Sequence, residues 1–421
     1  MRALCWAVLL AAVSVAQAAP PQDAPRWWKG NLHTHTLWSD GDDYPEVIAK
    51  WYKDRGYQFL ALTDHNRLQT GERWMDVMKS KGGPPALAHY RKSWGEDWVT
   101  TRTVDGKLEA RLKTLEEFRK RLEVPGKFLL LQGQEVTDQY KAFPVHINAS
   151  NVQALIKPQG GSNVVDVMQR NVNAILAQRR QTGQPILPHL NHPNFGWGVT
   201  AEDLMQVKGE RFFEVYNGHP SVHNEGDKTH ASTERMWDII LTRRLAELKS
   251  EVLYGLATDD AHNYHSVSNK LSNPGRGWVM VRAAELKPAA LIAALEAGDF
   301  YSSSGVQLRD VQRDGAALAI EIEAEPGVEY TTYFIGTRRG YDAANEPIRQ
   351  PSGEALRVTH RYSDDIGRVL AKVVGPKATY RLSGDEIYVR AKVVSSKTMT
   401  NPLLPGEKQA AWIQPLVPAR P

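Results

Sequence analysis

Asn31-Leu32-His33-Thr34-His35-Thr36-Leu37-Trp38-Ser39-Asp40-Gly41 is the stretch from which the fold can be read. Two histidines spaced two apart on an extended segment project to the same side. Imidazoles converging at a strand end can chelate a divalent cation of the zinc, manganese or iron kind. Asp40 follows, and a turn at Gly41 can fold it back toward the pair. One His-x-His alone says little, so the weight rests on recurrence.

The design does recur. Leu60-Ala61-Leu62-Thr63-Asp64-His65 ends a second apolar run in an acid and a histidine. Glu135 closes the run from Phe128 to Gln134, and His146 sits within Pro144-Val145-His146-Ile147-Asn148. His192 follows Ile186–Leu190, and Asp260 and His262 follow Leu253–Ala257. Ionisable groups set directly after apolar strands are costly to desolvate unless paired or bound to metal. Six of the thirteen histidines fall on or just after five such strands, and Glu135 follows a sixth. In a barrel, strand C-termini converge on the face where active sites are built. Each residue alone reads as an ordinary surface polar group; together they read as one site.

Between these motifs, strand and helix patterns alternate from Gly30 to about Gly305, which predicts an α/β layer or barrel. Strands are expected at Asn31–Thr36, Phe59–Thr63, Phe128–Gln132, Val145–Ala149, Ile186–Leu190, Phe212–Tyr216, Val252–Ala257 and Trp278–Val281. Helical spacing marks Tyr44–Arg55, Leu108–Leu122, Val164–Gln181, Thr233–Leu248 and Pro288–Ala297. Residues 66–107 have poor periodicity and carry Trp74, Trp94 and Trp98, as expected of an inserted loop shaping substrate access. From Val306 the texture turns to β alternation broken by Pro326-Gly327, Ser352-Gly353 and Ser383-Gly384, predicting an all-β, sandwich-like domain over 306–421. Its aromatics Tyr330, Tyr333, Phe334, Tyr388 and Trp412 read as core more simply than as a carbohydrate-binding face.

Composition narrows the class. Of 421 residues, 52 are basic and 48 acidic, too balanced for an electrostatic nucleic-acid clamp. Cys5 is the single cysteine, which excludes a disulfide framework and a thiolate metal site. Met1-Arg2, an apolar run from Ala3 to Val15 and Ala16-Gln17-Ala18 together read as a secretory signal peptide over 1–18. That predicts export to the periplasm or medium. No later apolar run reaches the roughly 20 residues of a membrane helix.

In motif content and motif order, the segments from Asn31 to about Gly305 resemble the PHP superfamily, the polymerase and histidinol phosphatase domain. The resemblance implies a distorted (β/α)7 TIM-like barrel over 19–305, holding two or three divalent metal ions (Zn, Mn or Fe). By position it implies that His33, His35, Glu135 and Asp260 hold one metal, and that Glu135 bridges to a second held by His146 and His192. Asp40, His65 and His262 would hold a third. Asp260, spaced Asp-x-His with His262, is preferred over Asp259. His189 and Glu214 are expected as orienting neighbours, while Arg67, Asn194, His265 and Arg276 read as structural. The implied function is an exported phosphoesterase, most simply a phosphomonoesterase acting on a small-molecule ester through a metal-activated water. A diesterase or nuclease, an amidohydrolase-like enzyme, and a binding protein with a silent barrel stand as alternatives.

Overall fold

A computed structural model describes residues 24–418 of the chain. The expected signal peptide over 1–18, with Cys5, lies outside the described residues. Among them, no helix is long and apolar enough to cross a membrane.

The architecture is mixed α/β. Its main strands are β1 (Arg26–Asn31), β2 (Phe59–Leu62), β3 (Leu129–Tyr140), β4 (Phe143–Ser150), β5 (Leu187–Leu190), β6 (Phe212–Asn217), β7 (Tyr254–Thr258), β8 (Trp278–Ala283) and β9 (Phe300–Ser303). Seven more follow: β10 (Leu308–Arg313), β11 (Ala317–Ile322), β12 (Tyr330–Arg338), β13 (Arg368–Val374), β14 (Lys377–Arg381), β15 (Glu386–Thr398) and β16 (Lys408–Leu416). One 13-stranded sheet runs β7-β6-β5-β4-β3-β2-β1-β8-β9-β16-β15-β12-β13. Pairing is parallel from β1 to β3 and from β5 to β7, whereas β4 lies antiparallel to both of its neighbours.

The first seven strands of this row curl until its ends meet. Beyond β1, the amide of His35 donates to the Ala261 carbonyl at 3.0 Å; beyond β7, the amide of Asp260 donates to the His33 carbonyl at 3.0 Å. A parallel bridge joins Thr34 to Ala261, and the Thr63 amide donates to Thr34 on the other side. Strand alternation divides the apolar residues between two cores. Phe59, Ala61, Leu131, Leu187, Phe212 and Leu256 share one cluster, while Leu60 and Leu62 turn the other way to pack on helices.

Those helices start and stop where their sequences dictate. Helix α1 (Pro45–Asp54) opens with proline at its first turn, and α3 (Leu115–Leu122) has a capping box in which Thr114 and Glu117 satisfy each other's amides. The long helix Val164–Thr182 begins at Asn163, whose side chain accepts from the Asp166 amide, and ends at Gly183, where φ of 68° suits glycine. The spacing predicts a face of Val165, Met168, Val172, Ile175 and Leu176; Met168, Val172 and Ile175 are buried, joined by Val164 and Val167, whereas Val165 and Leu176 are only half-buried.

Three local expectations need correction. The first strand is Arg26–Asn31, not Asn31–Thr36; past Asn31 the ladder gives way to single bonds reaching Thr63 and Ala261, which leaves His33 and His35 on an extended run beyond the strand. Leu108–Leu122 is not one helix. Lys107–Leu112 is a strand pairing with Arg73–Asp76 and Thr101–Val104, and helix begins only at Leu115. Residues 66–107 are therefore not an irregular loop: they supply two strands of that sheet and helix α2 (Gly83–Trp94).

Beyond Val306, β10, β11 and β14 make a separate three-stranded sheet whose apolar residues meet those of β12, β15 and β16 in one core. Of the aromatics weighed for carbohydrate binding, Tyr330, Phe334, Tyr388 and Trp412 are buried. Alternation along β15 explains how this region attaches. Val389, Ala391 and Val393 enter the shared β core, while Tyr388, Arg390 and Lys392 face the helix Thr233–Arg243. There Lys392 pairs with Glu234, and Arg390 grips Asp238 with two bonds of 2.7 Å. Burial alone would raise the Glu234 carboxyl, but the charges of Lys392 and Arg390 win and hold it down at about 2.

A folded-state value below the unfolded one stabilises the protein above the unfolded value, and that contribution fades as pH falls toward the folded value. Acid unfolding of wild type should therefore steepen below about pH 5, the range where an unperturbed glutamate begins to protonate. Glu234→Gln should flatten that part of the curve; an unchanged profile would contradict the assignment.

Candidate metal centre

Each candidate reaches the same place because the carboxyl ends of the parallel strands point there. His33 and His35 follow β1, His65 follows β2, Glu135 lies within β3, His192 follows β5, and Asp260 and His262 follow β7. His146 comes from the first half of β4, which runs the opposite way and so delivers its early residues to this same edge. Asp40 closes the set from the loop after the histidine pair. The structure thus brings all nine sequence-derived residues together.

Glu135 is the hub. Its Oε2 faces His65 Nδ1 at 2.8 Å, His35 Nε2 at 3.4 Å and His33 Nε2 at 3.6 Å. Its Oε1 faces His146 Nδ1 at 2.9 Å and His192 Nε2 at 3.5 Å. Asp260 Oδ1 stands 3.1 Å from His35 Nε2 and 3.2 Å from His33 Nε2. On the outer side Asp40 Oδ1 gathers His262 Nε2, His65 Nε2 and His35 Nδ1 at 3.4, 3.6 and 3.7 Å. His35 therefore offers one ring nitrogen to each group. Burial would push the Glu135 carboxyl up, yet the imidazoles of His65, His146 and His33 hold it well below the usual range. Asp260 is also held low, with burial opposed chiefly by His33.

The donors are aimed by partners behind them. His33 Nδ1 is 2.7 Å from Glu214 Oε1, so that nitrogen carries the proton and Nε2 turns its lone pair inward. Glu214 is itself fixed by the His192 amide, the Thr258 hydroxyl and the Asn217 side chain. Asn191 donates to Glu135 Oε1 at 2.8 Å, and Asn217 donates to Asp260 Oδ2 at 3.1 Å. His189 is fully buried beside Glu214, at 3.4 Å. Asp259 points elsewhere, accepting from Tyr52 and from the amides of Gly275, Arg276 and Gly277. Arg276 is spent on backbone carbonyls, Asn194 on the carbonyls of His223 and Ala231, and Arg67 is exposed.

Sequence reading missed His219. It stands at the rim with its ring 5.4 Å from that of His262, and its Nδ1 accepts from the Ser221 amide, so the proton of the neutral ring sits on Nε2. Burial lowers its imidazole to about 4. Its signal was available: like His192, it comes two residues after a buried strand.

The donor set fits divalent cations. His33 Nε2 and His35 Nε2 face each other at 3.1 Å, and His35 Nδ1 is buried with no hydrogen-bond partner, 3.7 Å from Asp40 Oδ1. Inward lone pairs on nitrogen, left unsatisfied by the protein, are what a cation requires and what a dry polar cluster avoids. Glu214→Gln should then weaken metal retention about 10–100-fold, the usual cost of losing an orienting carboxylate. Competition with a chelator measures this, and wild-type retention would contradict the role given to Glu214.

No family model matches the chain, and no curated protein matches it. Solved structures do. A two-domain protein from Bacteroides vulgatus containing a predicted PHP-like metal-dependent phosphoesterase is similar at 14% identity and TM-score 0.42, over 96% of this chain and 99% of that one. A Bifidobacterium adolescentis protein assigned as a metal-dependent phosphoesterase is similar at 12% identity and TM-score 0.29, over 56% of this chain and 89% of its own. An amidohydrolase from Chromobacterium violaceum, solved with sulfate and no metal, has 14% identity and TM-score 0.29 over 56% and 88% of the two chains.

Proposed function

We propose that the chain is a metal-dependent phosphoesterase of the PHP kind, with a distorted (β/α)7 barrel in residues 19–305 as its hydrolytic domain. The observation that carries this reading is the convergence on Glu135, whose two oxygens face two different histidine groups. His33, His35, Glu135 and Asp260 would hold one ion, Glu135 with His146 and His192 a second, and Asp40, His65 and His262 a third. Zinc, manganese and iron all suit imidazole and carboxylate donors. Bound ions of this kind neutralise ester oxygens and acidify a water for attack.

The chain's own residues supply the rest. Three carboxylates against six neutral imidazoles leave two or three divalent ions net positive, a field that favours a phosphate ester over a neutral amide. Glu214 keeps the His33 proton on Nδ1, and Asn191 keeps Glu135 turned toward both histidine groups. Asp40 has half of its side chain exposed and His65 more than a quarter, so substrate enters from their side. His219 presents its Nε2–H beside that opening as a hydrogen-bond donor.

We assign monoester hydrolysis as the activity, export as the purpose of residues 1–18, and a structural docking role to residues 306–421. Phosphate release from nitrophenyl phosphate, compared with its bis-ester, is the test. The monoester should be the faster substrate, and activity should vanish in His35→Ala and after chelation, returning with manganese or zinc. Faster bis-ester cleavage would make the enzyme a diesterase. No cleavage of either by metal-replete protein would turn the reading toward C–N or C–O bonds. A mature chain that still began at Met1 after export would contradict the leader.

A further inference from the structure

Apart from the nine residues, Asp43, His89 and His265 bring one possible ligand atom each within 4.8 Å of one another. They come from three pieces of chain: the loop past Asp40, helix α2 of the inserted segment, and the loop past His262. Asp43 is buried, with its side chain 2% exposed, whereas His89 and His265 are reachable from solvent. Its Oδ1 accepts from the Tyr44 amide at 2.8 Å. Its Oδ2 is turned to His265 Nε2 at 3.4 Å and His89 Nδ1 at 3.5 Å.

Those separations are long for N–H···O bonds, which cluster at about 2.9–3.0 Å. They match the edge of a tetrahedron built on metal–ligand bonds of roughly 2.0–2.1 Å, which is about 3.3–3.4 Å. The two rings stand edge to face, at 86° with centroids 5.8 Å apart, so they meet around a point instead of stacking. The Asp42 carbonyl, 3.1 Å from His265 Nε2, adds an oxygen at the same corner. Without a cation, that carbonyl accepts the Nε2 proton; moving the proton to Nδ1 frees the lone pair for metal.

We infer that Asp43, His89 and His265 form a second, separate site for one divalent cation of the zinc class. Two nitrogens and one carboxylate oxygen, two of the three residues solvent-reachable, suit that class and leave a position for water or the Asp42 carbonyl. The ion would fasten α2 to both rim loops. Those loops are already zipped together, the Asp42 amide donating to the His262 carbonyl at 2.9 Å and Asp42 Oδ1 accepting from the Tyr264 amide at 2.8 Å. The site thus clamps the inserted segment against the loops that carry Asp40 and His262.

The test is metal content of the full chain, stripped with chelator, reloaded with zinc and desalted. His89→Ala lies on the exposed side of a helix, and His265→Ala lies on a different element, so the two check each other for folding damage. Each should hold one zinc fewer than wild type, while Glu135→Gln loses metal from the main centre and keeps this one. Zinc should also raise the thermal midpoint of Glu135→Gln protein more than that of the Glu135→Gln/His89→Ala double variant. Wild-type zinc content in either folded histidine variant would overturn the inference and mark the triad as a pair of ordinary ion contacts.

Discussion

Glu135→Gln should abolish most phosphoester hydrolysis, lowering kcat/KM by about three decades or more. The expectation follows from where its charge sits. Both carboxylate oxygens are buried and each faces a separate imidazole group, so an amide would turn an N–H toward nitrogen lone pairs on one side. Metal-centred charge stabilisation is worth several kcal/mol, and each 1.36 kcal/mol is tenfold in rate. Metal content should fall in parallel, measured on the same sample. Retention of both full metal and more than about a tenth of the activity would remove Glu135 from the centre of the mechanism.

Arg390→Ala should be the most destabilising of the changes considered, costing about 3–5 kcal/mol in a denaturant titration. The guanidinium is 1% exposed, meets Asp238 through two bonds of 2.7 Å, and stands over the Trp237 ring at 4.8 Å. Asp238 also accepts from the Tyr388 hydroxyl at 2.8 Å. Truncation leaves a buried carboxylate without its counter-charge, which is the expensive case for buried pairs. Replacing both partners together, Asp238→Leu with Arg390→Met, should recover most of the loss, because the unpaired charge disappears with its partner. A single-variant cost under about 1 kcal/mol would mean that water reaches the carboxylate after all.

The convergence of the candidate residues was legible in the sequence because they punctuate its apolar runs. All of them but Asp40 sit on or next to an apolar strand, where burial makes an unpaired ionisable group anomalous. Elements held by long-range pairing were harder to read. Leu108, Leu112 and Leu115 are spaced as one helical face, yet Lys107–Leu112 is claimed by partners at Arg73–Asp76 and Thr101–Val104. The local clue was Asp105-Gly106, both at positive φ, the dipeptide of a tight hairpin. His33 and His35 misled in a smaller way: polar residues alternating along an extended run resemble a strand, but their backbone is held by single bonds and side-chain contacts instead of a ladder. The pairing of Arg390 with Asp238 had no local signature, since 152 residues separate them.

The main sheet also fixes an order of events. Strand β9, next to β8 in the main sheet, finds its other neighbour only in β16, more than a hundred residues later in the chain. Until Lys408–Leu416 is synthesised or delivered, Tyr301, Ser302 and Ser303 present an open row of amides and carbonyls that invites pairing with another molecule. Non-local strand pairing of this kind is slow to form. Chains ending before residue 408 should therefore aggregate even though every proposed metal ligand is already present.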